Sequence, residues 1–183
     1  MTSQLFAQIS TALASTDMAL DAATTKSIGE ALLNQELLNN ALKYYGLKEV
    51  PGPTSSPTIT GWLAKWLKAA KVKASTNDDQ TAWCSVFVNE VAEQSGCEVT
   101  NRINARSWLD VGTEIAVAEA MPGDVVILWR NKPSSWEGHV GFFIRKGPGV
   151  VWMLGGNQSN QVNIMSFRDT QVLGIRRLAK ATI

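Results

Sequence analysis

The spacing of apolar residues changes once along this chain, close to Met121, and this change constrains the fold more than any other feature of the sequence. Before Met121, apolar residues recur at helical spacing. After it, β-branched and aromatic residues form three short runs, DVVILWR (124–130), HVGFFIR (139–145) and GVVWMLG (149–155), followed by the weaker strand candidates VNIMSF and VLGIRRL. Helices followed by short strands predict an α+β fold with an antiparallel sheet.

Three segments in the first part of the chain are predicted to be helical, besides the N-terminus. The stretch 59–67 has one apolar face, a second helix runs within 83–96 and stops at a glycine, and a short helix covers 105–110. The segment 46–57 contains three prolines and two glycines, so it is predicted to be a loop. The polar run STNDDQT (75–81) is rich in side chains that cap helices, and it precedes the second helix.

Residues 1–40 differ in composition from the rest of the chain. They are rich in Ala, Leu, Ser and Thr and contain no Trp, Cys or His. Apolar residues at helical spacing predict two short helices here, separated near Asp21–Ser27. We therefore expect a helical N-terminal extension over 1–40 and one main domain over 41–183. The extension could cap the main domain, bind a partner or form an oligomer contact.

Composition argues against several functional classes. Hydrophobic residues make up 45% and charged residues 18% of the 183 residues, a balance typical of one globular core. The net charge of +1 argues against an extended surface for nucleic acid. No stretch is apolar for long enough to predict a membrane span. The first basic residue is Lys26, so we expect synthesis in the cytoplasm without a signal peptide.

The two cysteines are predicted to be free thiols with different roles. Cys84 and Cys97 flank the predicted second helix, roughly 20 Å apart and beyond disulfide reach. Free thiols fit a reducing compartment. Cys84 lies in the first turn of the helix, where backbone N–H groups favour a thiolate, so it suits a nucleophile. Cys97 lies past the other end, and its surroundings predict a small, partly buried hydrophobe.

The only histidine, His139, opens a predicted strand between two glycines, Gly138 and Gly141. Such a residue can point into a cleft and act as the general base for a thiol. A third polar group is needed to orient the imidazole, and the next strand ends in GGNQSN, which offers Asn157 and Gln158. Asn157 is favoured, although the same segment is also typical of a turn. One His and two Cys do not suffice for a structural zinc site, so no metal or cofactor is expected.

An ordered set of motifs resembles the NlpC/P60 and CHAP group of papain-like peptidoglycan hydrolases, and most closely a branch associated with phages and prophages. The resemblance covers about residues 41–178. The motifs are KEVPGP (48–53), TAWCSVFVNEVAEQSG (81–96), ARSWLDVGT (105–113), PGDVVILWR (122–130), SWEGHVGFFI (135–144) and LGGNQSNQV (154–162). The Asp-Cys-Ser-Gly sequence typical of NlpC/P60 members is Trp-Cys-Ser-Val here, with Trp83 and Val86 at the outer positions, and this departure favours the CHAP side.

The resemblance implies a papain-like core in which the nucleophile helix packs on the sheet. Its nucleophile matches Cys84, its base matches His139, and its third polar residue falls around Asn157. It implies hydrolysis of an amide bond in peptidoglycan stem peptides, at the cell wall or in the periplasm after release or delivery. A delivery or immunity partner would then bind through the N-terminal helices.

Further residues beside the motifs are expected to serve this chemistry. The backbone N–H of Cys84 would hold the oxyanion, with the Gln80 side chain as a candidate second donor. The remaining candidates for a substrate groove are Trp83, Trp108, Trp136, Glu137 and Gln158. For each tryptophan, ordinary core packing is the alternative.

Two other functional classes compete with this prediction. A glycosidase would need two carboxylates facing across a cleft, and Glu49, Asp124 and Glu137 are the candidates on paper. A virion or secretion component that retains the fold without activity is the other possibility. A serine hydrolase and a P-loop enzyme are disfavoured because neither G-x-S-x-G nor G-x-x-x-x-G-K-[ST] occurs.

Overall fold

The computed structural model describes residues 21–52, 54–73 and 78–182. The helices are α1 (Ala22–Leu42), α2 (Pro57–Ala69) and α3 (Cys84–Gln94), with short 3-10 helices at Ala105–Asp110, Val117–Glu119 and Asp169–Gln171. The strands are β1 (Thr113–Ile115), β2 (Val125–Trp129), β3 (Gly138–Gly147), β4 (Val150–Gln158), β5 (Gln161–Arg168) and β6 (Val172–Arg177). None of the helices in the described ranges combines the length and apolarity needed to cross a bilayer.

The described strands form a single six-stranded sheet in the order β1-β6-β2-β3-β4-β5. Neighbouring strands are antiparallel throughout, so the predicted α+β fold with an antiparallel sheet is confirmed. All five predicted strands are present, and β1 was missed because its three residues are too few to show alternation.

Both faces of the sheet are covered by apolar side chains. Strand residues alternate between faces, so Val140 and Phe142 of β3 pack in the cluster that includes α3, while Phe143 packs in a separate cluster with Leu128. Helix α3 contacts β3 and β4 directly. The helix that begins at Cys84 therefore lies against the two strands that carry the other predicted catalytic residues.

Helix α2 begins with a proline and has one buried face. Pro57 is at its first turn, where the missing N–H costs nothing. The predicted apolar positions are all buried: Ile59, Trp62, Leu63, Trp66 and Leu67. The Glu90 carboxylate of α3 accepts hydrogen bonds from Trp66 Nε1 (3.1 Å) and Lys65 Nζ (2.9 Å), which ties the two helices together.

The second predicted N-terminal helix begins earlier than expected, because residues 22–27 of the predicted break are helical. Helix α1 already begins at Ala22, and the Asp21 carboxylate accepts the Thr24 N–H (2.8 Å) as its cap. The polar cluster thus starts a helix. The first predicted helix lies outside the described residues. The chain divides into two compact units between Glu30 and Ala31, and α1 residues after that point, including Leu33 and Leu37, are buried in the core of the second unit.

Candidate active site

Cys84 is the first residue of α3, and the N-terminus of this helix has no side-chain cap among the described residues. Trp83 occupies the N-cap position, and its side chain makes no capping hydrogen bond. The first backbone N–H groups of a helix have no intrahelical partner. They are therefore available beside the Cys84 thiol for a developing negative charge.

The amide of Val140 is directed towards this thiol by the register of the sheet. In the β2–β3 ladder, only every second residue of β3 exchanges backbone hydrogen bonds with β2. Phe143 and Glu137 are bonded positions, the latter to Arg130, so Val140 falls on a position that is not bonded to β2. The Val140 N–H therefore points towards β4, which pairs with β3 only as far as Phe142 in the described ladder. The Val140 N–H is instead close enough to the Cys84 sulfur to lower the pKa of the thiol. This proximity places Cys84 next to the backbone of His139.

His139 is paired with Leu128 across the ladder and directly precedes Val140. Its Nε2 is 3.1 Å from Gln158 Oε1, and its ring is 5.4 Å from the Phe167 ring. Gly155 makes room for this pair. A Cβ at Gly155 would come within 2.9 Å of Gln158 Oε1 and 3.4 Å of the imidazole Nε2.

The hydrogen bonds of Gln158 assign the tautomer of the imidazole. Gln158 Nε2 donates to the Asn163 backbone oxygen (2.6 Å) and to Asn163 Oδ1 (2.9 Å). The amide oxygen is therefore the atom that faces His139, and an oxygen only accepts. His139 Nε2 must carry the proton, which leaves Nδ1 as the unprotonated nitrogen of the neutral ring.

The residue that contacts the imidazole differs from the one favoured by the sequence. Asn157 was expected to orient His139, but the imidazole donates its hydrogen bond to Gln158. The register of β4 shifts between Gly155 and Gln158, and Asn157 takes a left-handed conformation with φ of 56°. This irregularity changes which side chain of GGNQ is directed at the ring.

Burial raises the pKa of the Cys84 thiol, and the N–H groups of Val140 and Ser85 and the charge of Arg130 only partly oppose it. The expectation of a lowered thiol pKa is therefore wrong for this state. Cys84 is 7% exposed, and the cost of placing a thiolate there outweighs the helix N-terminus. No hydrogen bond between Cys84 and His139 occurs in the described structure.

Burial lowers the pKa of His139 to about 4, Gln158 opposes this shift, and the Arg130 charge adds to it. At neutral pH the pair is thus a neutral thiol and a neutral imidazole, not a preformed ion pair. Such an arrangement suits a base that removes the thiol proton only as the thiol attacks.

Two tryptophans expected in the groove are core residues instead. Trp83 and Trp108 are completely buried, so they cannot contact a substrate. Trp83 Nε1 donates to Glu49 Oε1 (2.9 Å), and Trp108 Nε1 donates to Ser85 Oγ (3.1 Å). Both bonds hold the first turn of α3 in place. The roles of Glu49 and Ser85 were missed, because only the fold brings the indole N–H groups to them.

Of the other predicted groove residues, Trp136 and Gln80 are exposed, Glu137 is half-buried, and Gln158 is buried. Trp136 is 81% exposed in the loop before β3. Glu137 lies in the same loop, and its carboxylate accepts hydrogen bonds from Asn131 Nδ2 and Ser135 Oγ. Gln80 is exposed and lines a broad polar pocket of about 660 Å³.

A smaller pocket of about 240 Å³ opens beside the imidazole. His139, Asn157 and Gln158 line it together with Arg130. Asn157 also lines the pocket at Gln80, so the two cavities are contiguous at this residue. His139 is therefore reachable from solvent even though it is only 7% exposed.

Both cysteines are free thiols, as predicted, and Cys97 is 3% exposed. Burial raises the pKa of Cys97 to about 11, and the nearby Lys180 opposes this only in part. Cys97 is thus unsuited to nucleophilic chemistry. In the described part of the chain, no three His, Cys, Asp or Glu side chains are arranged to hold a metal ion.

A scan against known protein families finds no match for this sequence, and no curated protein matches it. Among solved structures, the chain is similar to a Staphylococcus aureus protein described as similar to a lipoprotein of the NLP/P60 family. The two share 18% sequence identity with a TM-score of 0.48. The match covers 89% of this chain and 44% of that protein, so the chain spans less than half of its length.

Proposed function

We propose that this protein is a cysteine peptidase or amidase that hydrolyses an amide bond in bacterial peptidoglycan stem peptides. One observation carries the proposal. The His139 imidazole, whose tautomer is defined by Gln158, lies on β3 directly before Val140, and the Val140 amide lowers the pKa of the thiol at the N-terminus of α3. The motif resemblance supports peptidoglycan as the substrate.

In the reaction, the unprotonated Nδ1 of His139 would remove the proton from Cys84 Sγ as the sulfur attacks the carbonyl carbon. The uncapped N–H groups of α3 then bind the oxyanion. Gln158 Oε1 stabilises the imidazolium because it accepts the Nε2 proton. The imidazolium returns the Nδ1 proton to the leaving amine, and water releases the acyl-enzyme.

Gln80 is the candidate second donor to the oxyanion. Its side chain is exposed and lines the larger pocket, which meets the His139 pocket at Asn157. An amide N–H is the donor that this step requires. Action at the cell wall after release or delivery, phage association and docking through the N-terminal helices stay predictions from the sequence.

The glycosidase alternative lacks a suitable pair among its three named candidates. Asp124 is completely buried and accepts both Arg177 Nε (3.0 Å) and Arg177 Nη2 (2.9 Å). The Glu49 carboxylate binds the Trp83 indole, and Glu137 is engaged within its own loop. Each carboxylate has a structural role, so the cysteine mechanism is the better supported one.

The test is digestion of purified peptidoglycan by the wild type, Cys84→Ala and Cys97→Ala, with the fragments identified by mass spectrometry. Cys97→Ala is the matched control, since it removes the other buried thiol. We expect new amino groups from the wild type and the control, and a loss of roughly 10³-fold or more in Cys84→Ala. Full activity of Cys84→Ala, or new reducing sugar ends, would reject the proposal.

A further inference from the structure

The pocket beside His139 contains one formally charged side chain among its described lining residues, that of Arg130. Arg130 follows β2 and lies two positions beyond Leu128, which pairs with His139. Residues two apart on a strand share a face, so Arg130 is on the same side of the sheet as the imidazole. Its backbone N–H donates to the Glu137 oxygen (3.4 Å), which continues the ladder to this point.

The Arg130 guanidinium has no ion pair or hydrogen bond within the described residues. The carboxylate nearest to it along the hairpin, Glu137, accepts Asn131 and Ser135 instead. Arg130 is exposed, so an incoming anion can reach it without displacing a protein partner. Its charge also acts on the reacting pair, since it lowers the pKa of both Cys84 and His139.

The rest of this pocket suits one residue of a peptide that carries a carboxylate. Trp129, Met165 and Phe167 supply apolar walls, and Asn157 and Gln171 supply amides. The apolar walls can pack against the aliphatic part of a bound peptide, while the amides can bond to its backbone. A guanidinium can bind both oxygens of a carboxylate at once, which fixes the orientation of the ligand.

We propose that Arg130 binds a carboxylate of the stem peptide next to the scissile amide, so that the protein selects substrates in which this carboxylate is free. The inference rests on the proposed function and names the chemical feature that this site would recognise. A carboxamide at the same position would leave Arg130 without its anion and would bind more weakly.

The test measures binding to the Cys84→Ala protein by titration calorimetry, so that no turnover is needed. The probes are L-alanyl-γ-D-glutamyl-L-lysyl-D-alanine and two singly amidated forms, one at the glutamyl α-carboxylate and one at the C-terminus. Each is titrated into Cys84→Ala alone and into the same protein with Arg130→Gln, Arg130→Lys or Lys132→Gln. Lys132 is the matched control, because it is an exposed cation of the same loop that lines neither pocket.

We expect one of the two amidations to weaken binding by roughly 10- to 100-fold, as for a hydrogen bond between charged groups. Arg130→Gln should abolish this preference, Arg130→Lys should retain part of it, and Lys132→Gln should leave it unchanged. The proposal is overturned if no probe binds, if neither amidation matters, or if the preference survives Arg130→Gln.

Activity measurements distinguish this proposal from the proposed function. Arg130 variants that retain Cys84 should lose kcat/KM mainly towards the carboxylate peptide. An equal loss towards all three peptides would mean that Arg130 acts only through its charge on the thiol, and would overturn the inference. A preference in binding without any cleavage by the Cys84 protein would reject the proposed function alone.

Discussion

Acidification should destabilise the folded protein in part through the buried imidazole of His139. Burial lowers the pKa of this imidazole from 6.5 to about 4. Between these values the unfolded chain binds a proton at His139 that the folded protein does not. Stability therefore rises with pH in this window and falls as the pH drops from about 6.5 towards 4.

The size of the effect follows from the same two values. At 1.36 kcal/mol for each pKa unit, the contribution of His139 is about 3 kcal/mol, fully present above pH 6.5 and lost as the pH approaches 4. The imidazole is 7% exposed, so solvent screening reduces this figure little. A loss of this size is a large fraction of the stability of a typical domain.

The assay is urea unfolding of the wild type and His139→Gln at intervals between pH 7 and 4. The variant cannot titrate in this range, and the remaining carboxylates are common to both proteins, so their effects cancel in the difference. The free energy of unfolding of the wild type should fall by about 3 kcal/mol more than that of the variant. Because the chain has a single histidine, NMR can follow the imidazole titration directly. Parallel stability curves, or an imidazole that titrates near 6.5, would refute the reasoning.

Three further predictions concern the support of the site. Gln158→Ala should lower kcat by roughly 10- to 100-fold, because Gln158 accepts a hydrogen bond from a ring that becomes charged. Asn157→Gly, which suits the left-handed backbone at this position, should lower kcat much less. The reverse order in steady-state assays would assign the orienting role to Asn157. The rate at which iodoacetamide alkylates Cys84, measured by mass spectrometry, should rise steadily as the pH increases above neutral, because burial raises the pKa of this thiol. A rate that is already constant below pH 6 would indicate a preformed thiolate–imidazolium ion pair. Glu49→Ala should cost about 1–3 kcal/mol in thermal or urea unfolding, since the buried Trp83 N–H loses its acceptor, while Glu49→Gln should cost less; equal losses would contradict this account.

Local patterns in the sequence were sufficient to place the elements that carry the two reactive residues. Apolar spacing and the positions of glycine and proline predict the buried face of α2, the start of α3 near Trp83 and the start of β3 next to His139. These signals are local, so no tertiary contact is needed to read them. The 3-10 helix at Ala105–Asp110 was also predicted as a short helix.

The partner of the imidazole could not be predicted in the same way. In a regular strand, alternate residues share a face, but the shift of β4 between Gly155 and Gln158 breaks this alternation. Which amide of GGNQ faces His139 depends on that irregularity and on the hydrogen bonds that Asn163 provides to Gln158. Asn163 belongs to the next strand, so its contact exists only once the hairpin has formed.

The sequence by itself determined the order of helices and strands, the two free thiols and the local setting of Cys84 and His139, because these depend on residues that are neighbours in the chain. Tertiary structure decided the charge state of the pair and the burial of Trp83 and Trp108. Desolvation depends on everything packed around a group, and here it outweighs the helix N-terminus that the sequence makes visible. The tertiary structure also placed Arg130 beside the imidazole, through a strand register that no local pattern encodes.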